Sequence, residues 1–209
     1  MAVNFDYVKA KWEQERQLRK QKGKAEKQKA LAGIERCSVE TQVISNDLPQ
    51  FEDYDCDNDD DGYEKYQMAK EKATKDLILK HGEGIKYLIV QTDYFGQMFI
   101  PEDEDEADYD YNPKNDSEIL YVYDNLWGEG LYFGAGKETD RKELMSIIGI
   151  EDGIYLKVDG EQSILDKIEF LMGLEYCGCF SWDTLDQVIV TTSSNGIKVM
   201  TVLFDTEHG

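Results

Sequence analysis

The chain has 209 residues, of which 41% are hydrophobic, so it is long enough to form one domain with a sizeable core. Its 44 acidic residues outnumber its 23 lysines and arginines, and the formal net charge is −21. Such a charge repels nucleic acid and membrane surfaces unless ions intervene, and it attracts basic partners. Solubility, or adaptation to a salty environment, is the alternative explanation of the same charge.

The charge is distributed unevenly along the chain. Residues 1–36 contain ten basic and five acidic residues, which gives this segment a net charge of +5. Residues 37–209 contain 13 basic and 39 acidic residues, a net charge of −26. The change in composition predicts two units, a basic helical arm over 1–36 and an acidic α+β domain over 37–209.

The arm carries three apolar residues at helical spacing. Phe5, Val8 and Trp12 share one face of the predicted helix, whereas residues 14–29 are polar on every side. A helix without an apolar face is marginal alone or docks on a partner. We therefore expect the three apolar residues to anchor the arm to a partner or to a second copy of the chain. A frayed, solvated terminus is the alternative.

Cysteine usage and hydropathy bear on the compartment. The sequence shows neither the apolar core of a signal peptide nor an apolar run near the roughly 20 residues that a membrane span requires. We therefore expect a cytoplasmic protein with free thiols and no membrane contact. The four thiols are those of Cys37, Cys56, Cys177 and Cys179.

The first half of the chain predicts strands around one long helix. Residues 38–45 alternate apolar and polar side chains, the pattern of a half-buried strand. An acidic loop over 46–62 and a helix over 63–80 follow. The apolar run over 85–92 predicts a buried strand, and residues 97–100 predict a strand that returns beside it.

The second half continues with strands over 119–123, 130–133 and 154–158. Asp140, with Glu143 three residues later, resembles a capping box and predicts the start of a helix. A second helix presents a buried face that consists of Ile164, Leu165, Ile168, Leu171 and Met172.

The C-terminal residues predict a β-hairpin. Runs over 187–192 and 197–204 flank Asn195-Gly196, a pair that supplies the positive φ angles of a tight turn. Hairpins with inserted helices, rather than regular strand–helix alternation, predict the α+β class. We expect a mostly antiparallel sheet with a few helices packed on one face, preceded by the basic N-terminal arm.

One motif points weakly to a metal. Residues 57–62, with sequence DNDDDG, resemble the first half of a calcium-binding EF-hand loop, in which carboxylates alternate before a glycine turn. The twelfth position, where a bidentate glutamate should close the site, is Met68. A plain acidic loop is the favoured interpretation, and no cofactor is expected. The candidate ligands for Ca²⁺ or Mg²⁺ are Asp57, Asp59 and Asp61.

Other chemical motifs are incomplete. Residues 134–139 resemble the end of a phosphate-binding loop, but Glu138 stands where the magnesium-binding hydroxyl should follow Lys137. Cys177 and Cys179 lack a second pair at zinc-site spacing and are interpreted as core residues of a strand over 176–182. Without a nucleophile–base signature, we expect no enzymatic activity.

The densest acidic run lies between two predicted buried strands, with tyrosines interleaved. It is either a solvated, disordered loop or a surface that engages a basic groove, with the aromatic rings as anchors. A second acidic block, over 51–61, has the same character. The residues that we expect to bind a partner in the first run are Glu102, Asp103, Glu104, Asp105, Glu106, Asp108, Tyr109, Asp110 and Tyr111.

These features predict a binding protein that engages a basic, nucleic-acid-binding groove of a partner protein and does not itself bind nucleic acid. Small size, strong acidity and the absence of a catalytic motif are similar in character to the nucleic-acid mimics and inhibitors of phages and mobile elements. On that hypothesis the protein is viral and acts in the cytoplasm of a host cell. Two alternatives stay open: a structural component of a phage particle or larger assembly, and a metal-dependent hydrolase that uses the aspartate cluster.

Overall fold

The computed structural model describes residues 5–54, 60–92, 115–124, 130–174 and 180–205. These residues form four α-helices, seven β-strands and two short 3-10 helices, which confirms the α+β class. The α-helices are α1 (Phe5–Leu31), α2 (Asp60–His81), α3 (Glu138–Ile147) and α4 (Glu161–Gly173). The strands are β1 (Val39–Val43), β2 (Ile85–Gln91), β3 (Ile119–Asp124), β4 (Gly130–Phe133), β5 (Gly153–Lys157), β6 (Leu185–Ser193) and β7 (Lys198–Phe204). The 3-10 helices are Phe51–Asp53 and Trp182–Thr184.

The described strands form one sheet in the order β1-β6-β7-β2-β5-β3-β4. Neighbouring strands are antiparallel except β2 and β7, which are parallel. The C-terminal hairpin therefore lies between the edge strand β1 and the central strand β2. Most of the sheet is antiparallel, as the sequence predicts.

The sheet is covered on both faces. One core packs α2 and α4 against the sheet, with Ile78, Ile164 and Ile168 fully buried. The other core packs α3 and the end of α1 against the opposite face, with Leu144 and Ile147 buried. The expectation that helices cover a single face is therefore wrong. Strands whose two faces are both apolar, such as β3, leave two surfaces to be shielded from water.

Strand β1 differs from its predicted environment. All five of its residues are exposed, so the prediction of a half-buried strand is wrong. Alternation of apolar and polar residues indicates a strand with distinct faces, but burial requires an element to cover one of them. At this end of the sheet, no helix of the described chain lies over β1.

Three local predictions also need correction. Helix α2 begins at Asp60, inside the predicted acidic loop. Helix α3 begins at Glu138, so Asp140 lies in its first turn and is not its N-cap. In the C-terminal hairpin only Gly196 of the Asn195-Gly196 pair has a positive φ. The amide of Gly196 donates to the carbonyl of Ser193, and the turn that this bond closes holds Asn195 at a negative φ.

The region after α4 also differs from prediction where it is described. Trp182–Thr184 forms a 3-10 helix rather than the end of a strand. Residues 176–179 of that predicted strand, with Cys177 and Cys179, lie outside the described residues, as does the predicted strand over 97–100.

The second half of α1 packs on the sheet edge formed by β4. Gly23 is buried there, and a Cβ at this position would lie 3.0 Å from the Cα of Gly130. One turn later a carboxylate oxygen of Glu26 accepts a hydrogen bond from the amide of Leu131 at 3.4 Å. Lys27 pairs with Glu151 at 3.2 Å. A polar helix thus docks through backbone proximity and ion pairs, and the division at residue 36 stays a prediction.

None of the helices in the described part of the chain is both long and apolar enough to cross a membrane.

The packing of α1 depends on the absence of a side chain at position 23. We predict that Gly23→Leu lowers the free energy of unfolding by about 1–3 kcal/mol, because the new side chain collides with β4. Ala25→Leu is the matched control, since Ala25 is exposed on the same helix. Urea unfolding and limited proteolysis of residues 5–31 measure the effect. Equal stability of the two variants would contradict this contact.

A buried hydroxyl offers a second test. Thr74 is fully buried in α2, and its Oγ1 has no hydrogen-bond partner in the described structure. Thr74→Val replaces this hydroxyl with a methyl group of similar shape, so it should raise the free energy of unfolding by about 1 kcal/mol. Thr74→Ser keeps the hydroxyl and removes the methyl, so it should lower stability by about 1 kcal/mol. A less stable valine variant would mean that the hydroxyl is bonded.

Candidate functional site

The residues predicted to bind a partner are only partly described. The acidic run over 102–111, together with Asp57 and Asp59, lies outside the described residues. Phe5 and Val8 lie in α1, but their side chains are outside the described part of the structure. Trp12 is described and 56% exposed, with the guanidinium of Arg16 lying 5.5 Å from its ring centroid.

The second acidic block is described in part, and it forms a surface at one corner of the fold. The 3-10 helix Phe51–Asp53 lies against the first turns of α2, where aromatic rings contact one another. Phe51 and Tyr63 remain 42% and 41% exposed. We call this region the acidic–aromatic surface; it consists of the exposed residues Phe51, Glu52, Asp53, Asp61, Tyr63 and Glu64.

Tyr66 anchors this surface from beneath. Its ring is 7% exposed and makes edge-to-face contacts with Phe51 at 5.5 Å and with Tyr54 at 5.6 Å between centroids. Phe51 also meets Tyr63 edge-on at 6.4 Å. Edge-to-face packing places the positive ring edge on the negative ring face, so the rings hold one another in place. The exposed rings are therefore presented in defined orientations.

Asp183 joins the surface to the C-terminal part of the chain. Its carboxylate accepts hydrogen bonds from the hydroxyl of Tyr63 at 3.0 Å and from the amide of Gln67 at 3.1 Å, and a further one from Ser181. Burial alone would raise the pKa of Asp183, but these donors outweigh burial and lower the pKa. The ionised carboxylate thus fixes α2 against Trp182–Thr184.

Helix α2 also carries a buried lysine near this corner. The Nζ of Lys70 donates to the carbonyl of Pro49 at 3.2 Å, directly before the 3-10 helix. Burial lowers the pKa of Lys70, and the nearby Asp186 and Asp183 partly oppose that change. The lysine therefore fastens the chain that leads into the acidic–aromatic surface.

This arrangement can bind cationic side chains. A guanidinium placed over an exposed ring is attracted by the ring face, and adjacent carboxylates accept its hydrogen bonds. Phe51 and Tyr63 supply rings, and the exposed Glu52, Asp53 and Glu64, which adjoin them in sequence, supply carboxylates. Sequence analysis identified the acidic block with Phe51, but it missed the contribution of α2, because that contribution depends on the tertiary contacts of Phe51 with Tyr63 and Tyr66.

Of the three predicted metal ligands, only Asp61 lies within the described residues. Asp61 is exposed in the first turn of α2, and Gly62 is helical rather than part of a sharp turn. Within the described ranges, no group of three or more His, Cys, Asp or Glu side chains is arranged to hold a metal ion. The resemblance to an EF-hand loop therefore does not extend to the geometry of its glycine.

The glycines of the apparent phosphate loop have a packing role. A Cβ at Gly134 would lie 2.2 Å from the carbonyl oxygen of Ile119, so the loop can follow β3 closely only without that side chain. The guanidinium of Arg141 donates to the carbonyls of Gly134 and Gly136 at 3.1 and 2.8 Å. The loop is therefore closed by protein groups.

A polar cluster that sequence analysis missed lies at the start of α3. Asp140 binds Lys157 at 2.9 Å, while Glu143 contacts both Lys86 and the hydroxyl of Tyr87. The β-bulge between Ile85 and Tyr87 of β2 allows the consecutive residues Lys86 and Tyr87 to contact the same helix. Burial and, to a smaller extent, Glu143 raise the pKa of the Tyr87 hydroxyl. Burial would also raise the pKa of Asp140, but the ion pair with Lys157 opposes burial and the pKa of Asp140 is lowered. Acids and bases neutralise one another here, which indicates a structural cluster.

Comparison with known proteins does not add a relative. The chain matches no protein-family model, no curated protein and no solved structure. The function proposed below therefore depends on the geometry and charge of this chain alone.

The hydrogen bonds to Asp183 generate a pH prediction. A carboxylate whose folded pKa is lowered contributes stability above its unfolded pKa, about 3.9, and loses that contribution as the pH falls through the folded value. Asp183→Asn should therefore lower the free energy of unfolding by about 1–2 kcal/mol at neutral pH. The difference from wild type should shrink below about pH 4.

Chemical denaturation across pH measures this difference. Asp159→Asn is the control, because Asp159 is an exposed carboxylate outside this corner of the fold and should change stability by less than about 0.5 kcal/mol. A deficit in Asp183→Asn that stays constant into acid would show that the charge of this side chain does not stabilise the fold.

Proposed function

We propose that this protein is a non-enzymatic binding protein whose acidic surface occupies a basic, nucleic-acid-binding groove of a partner protein. On this proposal it acts as a nucleic-acid mimic or inhibitor of the type encoded by phages and mobile elements, in the cytoplasm of a host cell. The partner supplies arginine and lysine side chains, and the protein supplies carboxylates and aromatic rings. Direct binding of nucleic acid and contact with membranes are not part of the proposal.

The observation that carries the proposal is the acidic–aromatic surface itself. The rings of Phe51 and Tyr63 are exposed, and residues next to them in sequence carry exposed carboxylates. The ring of Phe51 packs on both the buried Tyr66 and Tyr63. A solvated acidic face needs no oriented aromatic rings. Such rings are typical of interfaces in which a few anchors provide most of the binding free energy.

The net charge of residues 37–209 also supports the proposal of a basic partner. Several lysines of the domain are engaged in ion pairs within the described structure, so they are held against acids of the chain itself. The pairs include Lys75 with Glu71 and Glu169, and Lys167 with Asp116. Ion pairing does not change the net charge, so it leaves the excess of acids over bases in residues 37–209 unchanged. Such an excess accelerates association with a basic partner.

The first half of α1 provides a second contact region. Trp12 and Leu18 are 56% and 59% exposed, on a helix stabilised by pairs one turn apart, such as Lys11 with Glu15. This half extends beyond the part of α1 that contacts β4. We include it in the proposal as an additional anchor that contacts the partner or a second copy of the chain.

A peptide-binding experiment tests the acidic–aromatic surface. The probe is a fluorescent ten-residue arginine peptide, and anisotropy is measured at about 0.05 M and about 0.3 M salt. The variant E52Q/D53N/D61N/E64Q should bind the peptide about tenfold more weakly than wild type, since each exposed ion pair contributes up to about 1 kcal/mol. Tyr63→Ala should weaken binding further, whereas Tyr63→Phe should bind as wild type does.

The matched control removes the same charge elsewhere. The variant E83Q/E138Q/E161Q/D166N changes four exposed carboxylates on other elements and should weaken binding by no more than about twofold. Equal weakening by both variants would mean that the net charge, and not the surface, attracts the peptide. A pull-down from host lysate distinguishes the proposal from a structural role. Recovery of a basic protein that elutes with salt would support the proposal, whereas recovery of a salt-resistant assembly would contradict it and favour the structural role.

A further inference from the structure

The two edge strands of the sheet, β4 and β1, differ in whether another element of the described structure covers them. The β4 edge is covered by α1, whose Glu26 carboxylate accepts the hydrogen bond of the Leu131 amide and whose Gly23 packs on Gly130. Among the described residues no element covers the β1 edge in this way, and every residue of β1 is exposed. Proteins usually protect an edge strand with lysine, proline, a bulge or a covering helix. In the described structure strand β1, with sequence VETQV, has none of these, and its one charged residue is Glu40.

The hydrogen bonds to β6 determine which backbone groups of β1 point outward. The carbonyl of Ser38 accepts from the amide of Ser194, and the amide of Ile44 donates to the carbonyl of Val188. Backbone groups alternate in direction along an antiparallel strand. Even-numbered residues of this segment therefore face β6. The outward N–H and C=O groups belong to Val39, Thr41 and Val43, and the described structure assigns them no hydrogen bond.

The sequence of β1 is complementary to itself about its central residue. In an antiparallel pair related by a two-fold axis at Thr41, Val39 lies opposite Val43 of the other copy, and Thr41 lies opposite its own equivalent. Glu40 lies opposite Gln42, so no two carboxylates are directly opposed. The positions that meet as hydrogen-bonded pairs are the three whose backbone groups point outward. Register, side chains and hydrogen-bonding groups therefore agree on one arrangement.

We propose that β1 is a homodimer interface, in which two copies join through antiparallel pairing of β1 about Thr41 and continue one sheet into the other. The two-fold pairing forms about six backbone hydrogen bonds. It places the two valine pairs on the face where Thr41 Oγ1 already lies 3.3 Å from Thr191 Oγ1. The interface is independent of the proposed function, and it would give the dimer two acidic–aromatic surfaces.

The expected dimer is weak and strengthened by salt. Pairing of five residues buries less than the roughly 1,200 Å² of a stable complex, so dissociation constants of about 10–100 µM are expected. Each copy carries a net charge of −21, and salt screens the repulsion between the copies. Sedimentation equilibrium of wild type should therefore show more dimer at about 0.5 M than at about 0.05 M salt.

Charge substitutions across the axis test the register. In V39K/V43K each new lysine faces another lysine of the second copy, whereas in V39K/V43E each lysine faces a glutamate. The first variant should dimerise about tenfold more weakly than the second, since two symmetry-related pairs change from repulsion to attraction. The two variants remove the same valines, so loss of apolar contact affects them equally. Equal association constants would overturn the proposed register.

Cross-linking tests the axis itself. Cα atoms of a hydrogen-bonded antiparallel pair lie about 5.5 Å apart, within the range of a disulfide. Thr41→Cys, in a chain whose four native cysteines are replaced by serine, should form a disulfide dimer on mild oxidation. Gln42→Cys in the same chain should not, because position 42 faces position 40. Circular dichroism confirms that both variants fold.

Three results would overturn the proposal. One is wild-type protein that stays monomeric up to about 1 mM at both salt concentrations. Another is equal cross-linking of the two cysteine variants. The third is hydrogen-exchange protection of Val39, Thr41 and Val43 that arises only when a different protein is added, which would assign the edge to a foreign strand.

Discussion

The fold depends on a sheet whose central strands are apolar on both faces. Strands β2, β5 and β3 are buried almost throughout, with residues such as Leu88 and Tyr155 at 0% exposure. Water must be excluded from both surfaces at once, so the helices divide between the two sides. Helices α2 and α4 occupy one face, and α3 with the end of α1 occupies the other. The positions of the remaining features follow from this division.

Burial on both faces also places tyrosine hydroxyls in the interior, where they form hydrogen bonds. Tyr121 and Tyr155 stack with ring centroids 4.1 Å apart, and burial raises the pKa of both hydroxyls. The Tyr121 hydroxyl donates to the carbonyl of Gly149, and that of Tyr155 donates to the carbonyl of Glu151. These bonds fasten the segment between α3 and β5. A buried hydroxyl without a partner would cost free energy, so each tyrosine also specifies the path of the backbone.

The two regions that we propose to bind partners lie at the margins of the sheet and at the ends of its helices, outside the packed interior. The acidic–aromatic surface lies where the start of α2 meets the two 3-10 helices, and the ionised Asp183 joins these elements. The uncovered edge of β1 lies at the end of the sheet opposite β4. Both regions combine exposure with a defined backbone, which is the combination that specific recognition requires.

Periodicity and turn chemistry were enough to predict the α-helices and β-strands that the structure describes, though not all of their bounds, because these signals act over a few residues. The runs that became β2, β3 and β7 are apolar in sequence, and the buried face of α4, which includes Ile164 and Leu171, appears at helical spacing. The α+β class and the hairpin between β6 and β7 follow from the same local patterns. Charge and aromatic residues in the second acidic block also indicated a surface around Phe51 before its geometry was known.

The tertiary structure decided which faces are covered and which charges meet. Exposure of β1 and the placement of Asp140 beside Lys157 depend on elements far apart in the sequence. So does the contact of Gly23 with Gly130. Local composition determines what a segment can form, since backbone and side-chain preferences act within a few residues. What a segment touches depends on long-range packing that buries apolar surface and gives buried polar groups their partners, and no short window of sequence contains that information.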